Sequence, residues 1–135
     1  YAAVIPLFIM AALRKESPKI FGDGITARDF TYVENAIQAN IKAMLLGHSI
    51  KQHKVINIGC GKQTSLLQIW ENLTKMEDIN IEPIFLEERK GDIKFSMASI
   101  KMAEKLIGYK PKVYFNEGLK YTLEAFRNDH IDWKL

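Results

Sequence analysis

Stretches whose apolar residues recur every third or fourth position alternate along this chain with short apolar runs bounded by turn residues, and that alternation restricts the fold more than any other feature. A first helix is expected from near Pro6, inside the apolar opening Tyr1 to Leu13. Extended pieces at Lys19 to Phe21 and Arg28 to Phe30 flank a turn on Gly22-Asp23-Gly24. Val33, Ile37, Ile41, Met44 and Leu45 mark the buried face of a second helix, opened by a Thr31/Glu34 capping box and ended by Gly47. A buried strand Val55 to Ile58, a helix from a Ser65/Gln68 cap to about Met76, and a strand Ile81 to Leu86 follow. Ile100, Ala103, Leu106 and Ile107 line a helix stopped by Gly108 and Pro111, and Asn116 caps a last one with Leu119, Leu123 and Phe126 inward. Helices alternating with short strands imply an α/β domain whose strand order stays open.

With 135 residues, 47% hydrophobic and 26% charged, the chain can bury a core as one domain, residues 1–135. A net charge of +3 spread evenly along it excludes the basic face of a nucleic-acid binder. The apolar opening is broken by Pro6, is too short to span a bilayer and has no charged leader, so neither a membrane segment nor a signal peptide is expected. It fits the interior of a longer protein, and without its partner it should leave an exposed apolar patch around Tyr1 to Leu13. Cys60 is the only cysteine, which excludes an internal disulfide and a cysteine-based zinc site and suits a reducing cytoplasm. No catalytic base is evident for it, so a small buried filler is expected. His48, His53 and His130 lack partners at ligand spacing, so no metal site is expected.

The chemistry concentrates at two arginines, Arg28 and Arg89, each in a short stretch rich in Gly and Asp. A guanidinium presents a rigid fork of donors matched to phosphate oxygens, so two brought together form a clamp for a diphosphate carrying something larger. A second stretch, Val55-Ile-Asn-Ile58-Gly-Cys-Gly-Lys62-Gln-Thr-Ser65, imitates a phosphate-cradling loop. It departs from the dinucleotide fingerprint at Thr64 and from the P-loop in its spacing, and is read as a tight turn into a capped helix.

Six blocks occur in order: Tyr1-Ala-Ala-Val-Ile-Pro6; Ile20-Phe-Gly-Asp-Gly24; Arg28-Asp-Phe-Thr-Tyr-Val33; Asn57-Ile-Gly-Cys-Gly61 with Thr64-Ser-Leu66; Gly91-Asp92; and Gly108-Tyr-Lys-Pro111 with Glu117-Gly-Leu119. Together they resemble the C-terminal part of the extended short-chain dehydrogenases/reductases, and within them the UDP-hexose 4-epimerases. The resemblance implies a small α/β substrate-binding domain with the Rossmann NAD-binding half mostly missing, NAD held mainly by that half, and a homodimer for the intact enzyme. It implies phosphate binding by Arg28 and Arg89, ribose binding by Asp92, and pairing of the uracil edge with the main chain of Lys19 and Phe21. Val4 and Ala3 match positions that touch substrate at the helix entrance. Ser96 matches a hexose-pocket position where glucose-type relatives carry Tyr. Its small size and that of Ala3 favour an acetamido sugar, because overfilling such a pocket costs about 1–3 kcal/mol. The substrate so implied is UDP-GlcNAc/UDP-GalNAc or their uronic acids, in polysaccharide biosynthesis. No Tyr-x-x-x-Lys pair occurs: Tyr1, Tyr32, Tyr109, Tyr114 and Tyr121 precede Ile5, Ala36, Val113, Gly118 and Ala125 by four positions. No catalytic residue is therefore assigned, and the chain alone is expected to be inactive. A nucleotide-sugar 4,6-dehydratase or decarboxylase, or a non-catalytic nucleotide-sugar binding module, would carry a similar sequence.

Overall fold

The computed structural model describes residues 3–46 and 53–128, so the expectations for Tyr1, Gly47, His48 and His130 fall outside the described residues. The elements run α1 (Val4–Arg14), β1 (Lys19–Phe21), β2 (Ala27–Arg28), α2 (Val33–Leu46), β3 (Thr64–Ser65), α3 (Leu66–Glu77), β4 (Ile84–Leu86), α4 (Lys101–Ile107) and α5 (Phe115–Asn128). Helices and short strands alternate, and the fold is α/β as the pattern predicts. Its strands form two small pairs: β1 runs parallel to β4 with Phe21 opposite Leu86, and β2 runs antiparallel to β3 with Arg28 opposite Thr64. Ala27 also bridges Phe95 in parallel, so the segment after β4 returns to lie beside β2.

Local chemistry explains several boundaries. Pro6 lies in the first turn of α1, where its absent N–H is no loss, and the helix starts slightly earlier than expected. At the N-terminus of α3, Ser65 Oγ accepts from the Gln68 N–H (3.2 Å) while Gln68 Oε1 accepts from the Ser65 N–H (2.9 Å), the reciprocal cap that the sequence predicts. Gly108 takes a left-handed conformation (φ 61°) and ends α4.

One core cluster joins α1, β1, α3 and α5 through Phe8, Ile9, Ala12, Ile20, Ile69, Trp70, Leu73, Leu119 and Leu123. Phe8 meets Trp70 edge to face at 6.0 Å, and the indole N–H donates to the Ile81 carbonyl, so the largest ring in the cluster buries no unpaired donor. A smaller cluster joins α2 to α4 through Ala39, Ala103, Ile107 and Tyr109. Gly118 lets the two halves meet: a Cβ there would lie 2.9 Å from Tyr32 Cβ at the entrance of α2.

Three expectations are corrected and one holds in part. The face of α2 expected to be buried is exposed, with Met44 80% and Leu45 82% accessible, while Asn35 and Ala39 are the residues turned inward. Periodicity identifies an apolar face without saying what covers it. At the start of the chain Phe8, Ile9 and Ala12 of α1 are buried in the core cluster with α3, while Leu7 is exposed and Val4, Ile5, Met10 and Leu13 are partly exposed, so part of the expected patch is present among the described residues. Val55 to Ile58 forms no strand: no described segment pairs with it, Val55 is exposed, and Ile56 and Ile58 pack on the smaller cluster. Helices α2 and α5 begin at Val33 and Phe115, which leaves Thr31 two residues upstream of its helix and puts Asn116 inside the other.

Candidate functional site

A cavity of about 430 Å³ opens between α1, the two strand pairs and the loop after β4. Val4, Leu7, Phe8, Phe30 and Leu66 form its apolar wall, and Lys19, Thr26, Arg28, Arg89 and Asp92 supply the polar groups, with Phe21 between the two. Three cations against one carboxylate give the lining a positive balance suited to a multiply charged anion. Six of the residues singled out in the sequence are thus brought together: Val4, Lys19, Phe21, Arg28, Arg89 and Asp92. Ala3 and Ser96 are not. Both are exposed, and Ser96 stands on the segment beside β2, where its N–H donates to the Ala27 carbonyl at 3.2 Å.

Each cation reaches the cavity by a different route. Arg28 ends β2, and its Nη1 donates to the carbonyls of Ala27 (2.9 Å) and Lys94 (3.3 Å), which ties the side chain to both extended segments. Arg89 projects from the exposed loop after β4 and lies over the Phe21 ring, 3.7 Å from its centre. Along β1 the Gly22 N–H donates to the Leu86 carbonyl and the Pro18 carbonyl accepts from the Ile84 N–H, each at 2.9 Å. The even-numbered residues therefore face β4, and by alternation Lys19 and Phe21 turn their N–H and C=O groups away from it.

Behind the cavity lies the Gly59-Cys60-Gly61 loop. The Asp29 carboxylate accepts from the N–H groups of Cys60 (2.9 Å), Gly61 (2.9 Å) and Ala98 (3.2 Å). A Cβ on Gly59 would lie 2.6 Å from Asp29 Oδ2, so only glycine admits the carboxylate this close. The fully buried Asn35 accepts from the N–H groups of Lys112 and Val113 through Oδ1 and donates to the Val113 carbonyl through Nδ2. Tyr109, also fully buried, donates from its hydroxyl to the Gly59 carbonyl at 2.8 Å. Burial, followed by the nearness of Cys60, Asp29 and Tyr114, pushes the Tyr109 pKa up to about 12. Burial, and then the Asp29 charge, also push the Cys60 thiol up, the opposite of what a reactive thiolate needs.

These contacts decide how the loop relates to NAD. Two of its amides, those of Cys60 and Gly61, are already taken by Asp29, and Gly59 has no room for more than a hydrogen. The residues present do not form a dinucleotide cradle. Among the described residues no cluster of His, Cys, Asp and Glu is placed to hold a metal ion, and no helix is long and apolar enough to cross a membrane. Sequence reasoning assigned no role to Asp29, Asn35 or Tyr109. The available signal was their position, since Asp29 follows Arg28 and Tyr109 sits between a helix-ending glycine and Pro111.

Residues 1–59 match the model of the NAD dependent epimerase/dehydratase family. The chain is 32% identical to the UDP-glucose 4-epimerase of Mycolicibacterium smegmatis over 94% of its own length and 40% of that protein's. It superposes on the UDP-glucose 4-epimerase of Thermotoga maritima, solved with UDP-glucose, with a TM-score of 0.85 and 38% identity, covering 93% of this chain and 40% of the other. The UDP-N-acetylglucosamine 4-epimerase of Methanobrevibacter ruminantium, solved with UDP-N-acetylmuramic acid, gives a TM-score of 0.82 and 40% identity, covering 94% of this chain and 40% of that one. The chain spans about 40% of the length of the curated relatives it matches first.

The Tyr109 shift makes stability pH-dependent in a defined window. Its ordinary pKa is 10.0 and its folded value about 12, so between those values the unfolded chain releases the proton while the folded chain keeps it. The stabilisation is complete below pH 10 and declines as pH rises through 12. Urea unfolding from pH 9 upward should show this decline in the unaltered chain, and Tyr109→Phe should remove that component of the slope. Identical slopes would show that Tyr109 does not carry it.

Proposed function

We propose that this chain, which resembles the C-terminal substrate-binding part of the UDP-sugar 4-epimerases, holds the nucleotide diphosphate of a UDP-sugar in the cavity between α1 and the strand pairs. The lining of that one cavity by both Arg28 and Arg89 carries the proposal. Each guanidinium would take phosphate oxygens, which remain charged throughout the reaction, so these contacts orient the substrate rather than select the transition state. Asp92 would accept from the ribose hydroxyls. The outward N–H and C=O groups of Lys19 and Phe21 offer the alternating donors and acceptors that match the edge of uracil. Val4 would contribute apolar contact from the start of α1.

The parent protein is read as an NAD-dependent UDP-sugar 4-epimerase, dimeric and working in a reducing cytoplasm. In such an enzyme NAD supplies the transient oxidation at C4 and is held mainly by residues outside this chain. Residues 1–135 constitute the substrate domain of that reading. Ser96 and Ala3, both small and exposed here, favour a substrate carrying an acetamido group, UDP-GlcNAc/UDP-GalNAc or the corresponding uronic acids, over plain hexoses.

Calorimetric titration of the 135-residue chain with UDP tests the first step. Arg28→Ala and Arg89→Ala should each weaken binding by roughly 10- to 100-fold, the value of a charge-assisted contact, while uridine should be nearly indifferent to either change. Equal losses for UDP and uridine would remove the diphosphate assignment. The chain supplied with NAD should not interconvert UDP-sugars, and measurable turnover would contradict the absence of its catalytic pair. In the full-length parent, Ser96→Tyr should depress activity on acetamido sugars by roughly tenfold and spare plain hexoses, in line with about 1–3 kcal/mol for overpacking. Undiminished acetamido activity would defeat the size argument.

A further inference from the structure

Arg89 stands in the loop following β4, where residues 87–92 are all exposed, yet its guanidinium carbon lies 3.7 Å from the centre of the Phe21 ring. That distance corresponds to full contact between the cation and the aromatic face. Of its acidic neighbours Glu87, Glu88 and Asp92, Glu88 pairs with Lys94 at 3.1 Å, and among the described residues none forms an ion pair with Arg89. We infer that the Phe21 ring is a positioning residue for Arg89, a platform that holds the guanidinium over the cavity while leaving its N–H groups free for an anion. The inference rests on the nucleotide-diphosphate reading of the cavity and adds a role for a side chain whose main chain alone was implicated.

The geometry favours this division of labour. A guanidinium carries its five donors around its rim and none on its faces, so a ring against one face fixes orientation without consuming a single hydrogen bond. Carboxylate pairing would instead have occupied the donors and cancelled the charge. The sheet register puts the platform in place: Phe21 lies opposite Leu86, the last residue of β4, and the Gly22 N–H donates to the Leu86 carbonyl at 2.9 Å. The root of the Arg89 loop is therefore anchored beside the ring that receives its side chain. A mobile arginine would have to be ordered by each incoming ligand, whereas one already resting on Phe21 is ordered beforehand.

Two measurements on the 135-residue chain test this. In the unliganded protein the Arg89 side-chain protons should show an upfield ring-current shift that Phe21→Leu removes and Phe21→Tyr keeps; an unshifted Arg89 would overturn the stacking whatever the ligand. In UDP titrations Phe21→Leu should weaken binding by about two- to fivefold, and Phe21→Tyr should restore it to within twofold. The same Phe21→Leu change made in the Arg89→Ala background should have no further effect. Equal losses in both backgrounds would mean that the ring acts by packing and not through Arg89. If the unaltered chain binds neither UDP nor inorganic pyrophosphate, the nucleotide reading and the ligand-binding half of this inference fall together, while the ring-current shift still decides the stack.

Discussion

The carboxylate of Asp29 gathers three main-chain N–H groups from two distant stretches, Cys60 and Gly61 on one and Ala98 on the other, and the cavity depends on that junction. Hydrogen bonds to a charged acceptor contribute about 1.5–3 kcal/mol each, more than neutral ones, and removing the acceptor would leave partly buried donors without partners. Asp29 turns its carboxylate toward the Gly59 loop, and Arg28 before it, the last residue of β2, lines the cavity. The carbonyls of Ala27 and Lys94 then hold the guanidinium in place.

The same junction explains why a loop that imitates a phosphate cradle does not act as one. Backbone amides converging at a glycine turn before a helix make an anion site, and here an anion is already supplied from within the chain. Asp29 takes the place a phosphate would occupy. Asn35 and Tyr109 secure the surrounding chain, one by pairing with the main chain of Lys112 and Val113 and the other by capping the Gly59 carbonyl. All three polar side chains lie within the fold with their hydrogen bonds made, as buried polar groups must. Anion binding therefore passes from the backbone to side chains on β2 and the loop after β4.

What could be read from the residues alone follows from how local each cause is. The Ser65/Gln68 cap, the Gly108 stop and the inward Leu119 and Leu123 depend on neighbours within a turn or two of helix, and spacing reveals them. That Arg28 and Arg89 meet is anticipated by their Gly- and Asp-rich stretches and by the ordered blocks of the resemblance, and both do line one cavity. The roles of Asp29, Asn35 and Tyr109 span many residues of sequence separation, and nothing local distinguishes a buried Asn with three partners from one in solvent. The stacking of Arg89 on Phe21 is of the same kind, since it follows from the pairing of β1 with β4, which spacing does not specify.

Helix α2 marks the limit of that legibility and also its use. Val33, Ile37, Ile41, Met44 and Leu45 recur at helical spacing, and every one is exposed, while the side turned into the fold carries Asn35 and the small Ala39. A helix with apolar or fully paired residues on opposite sides is patterned for burial on both, and a stripe of this size left in water favours association. The chain spans about 40% of the length of its first curated relatives. The described residues cover only the side that carries Asn35 and Ala39, against α4 and the main chain of Lys112 and Val113.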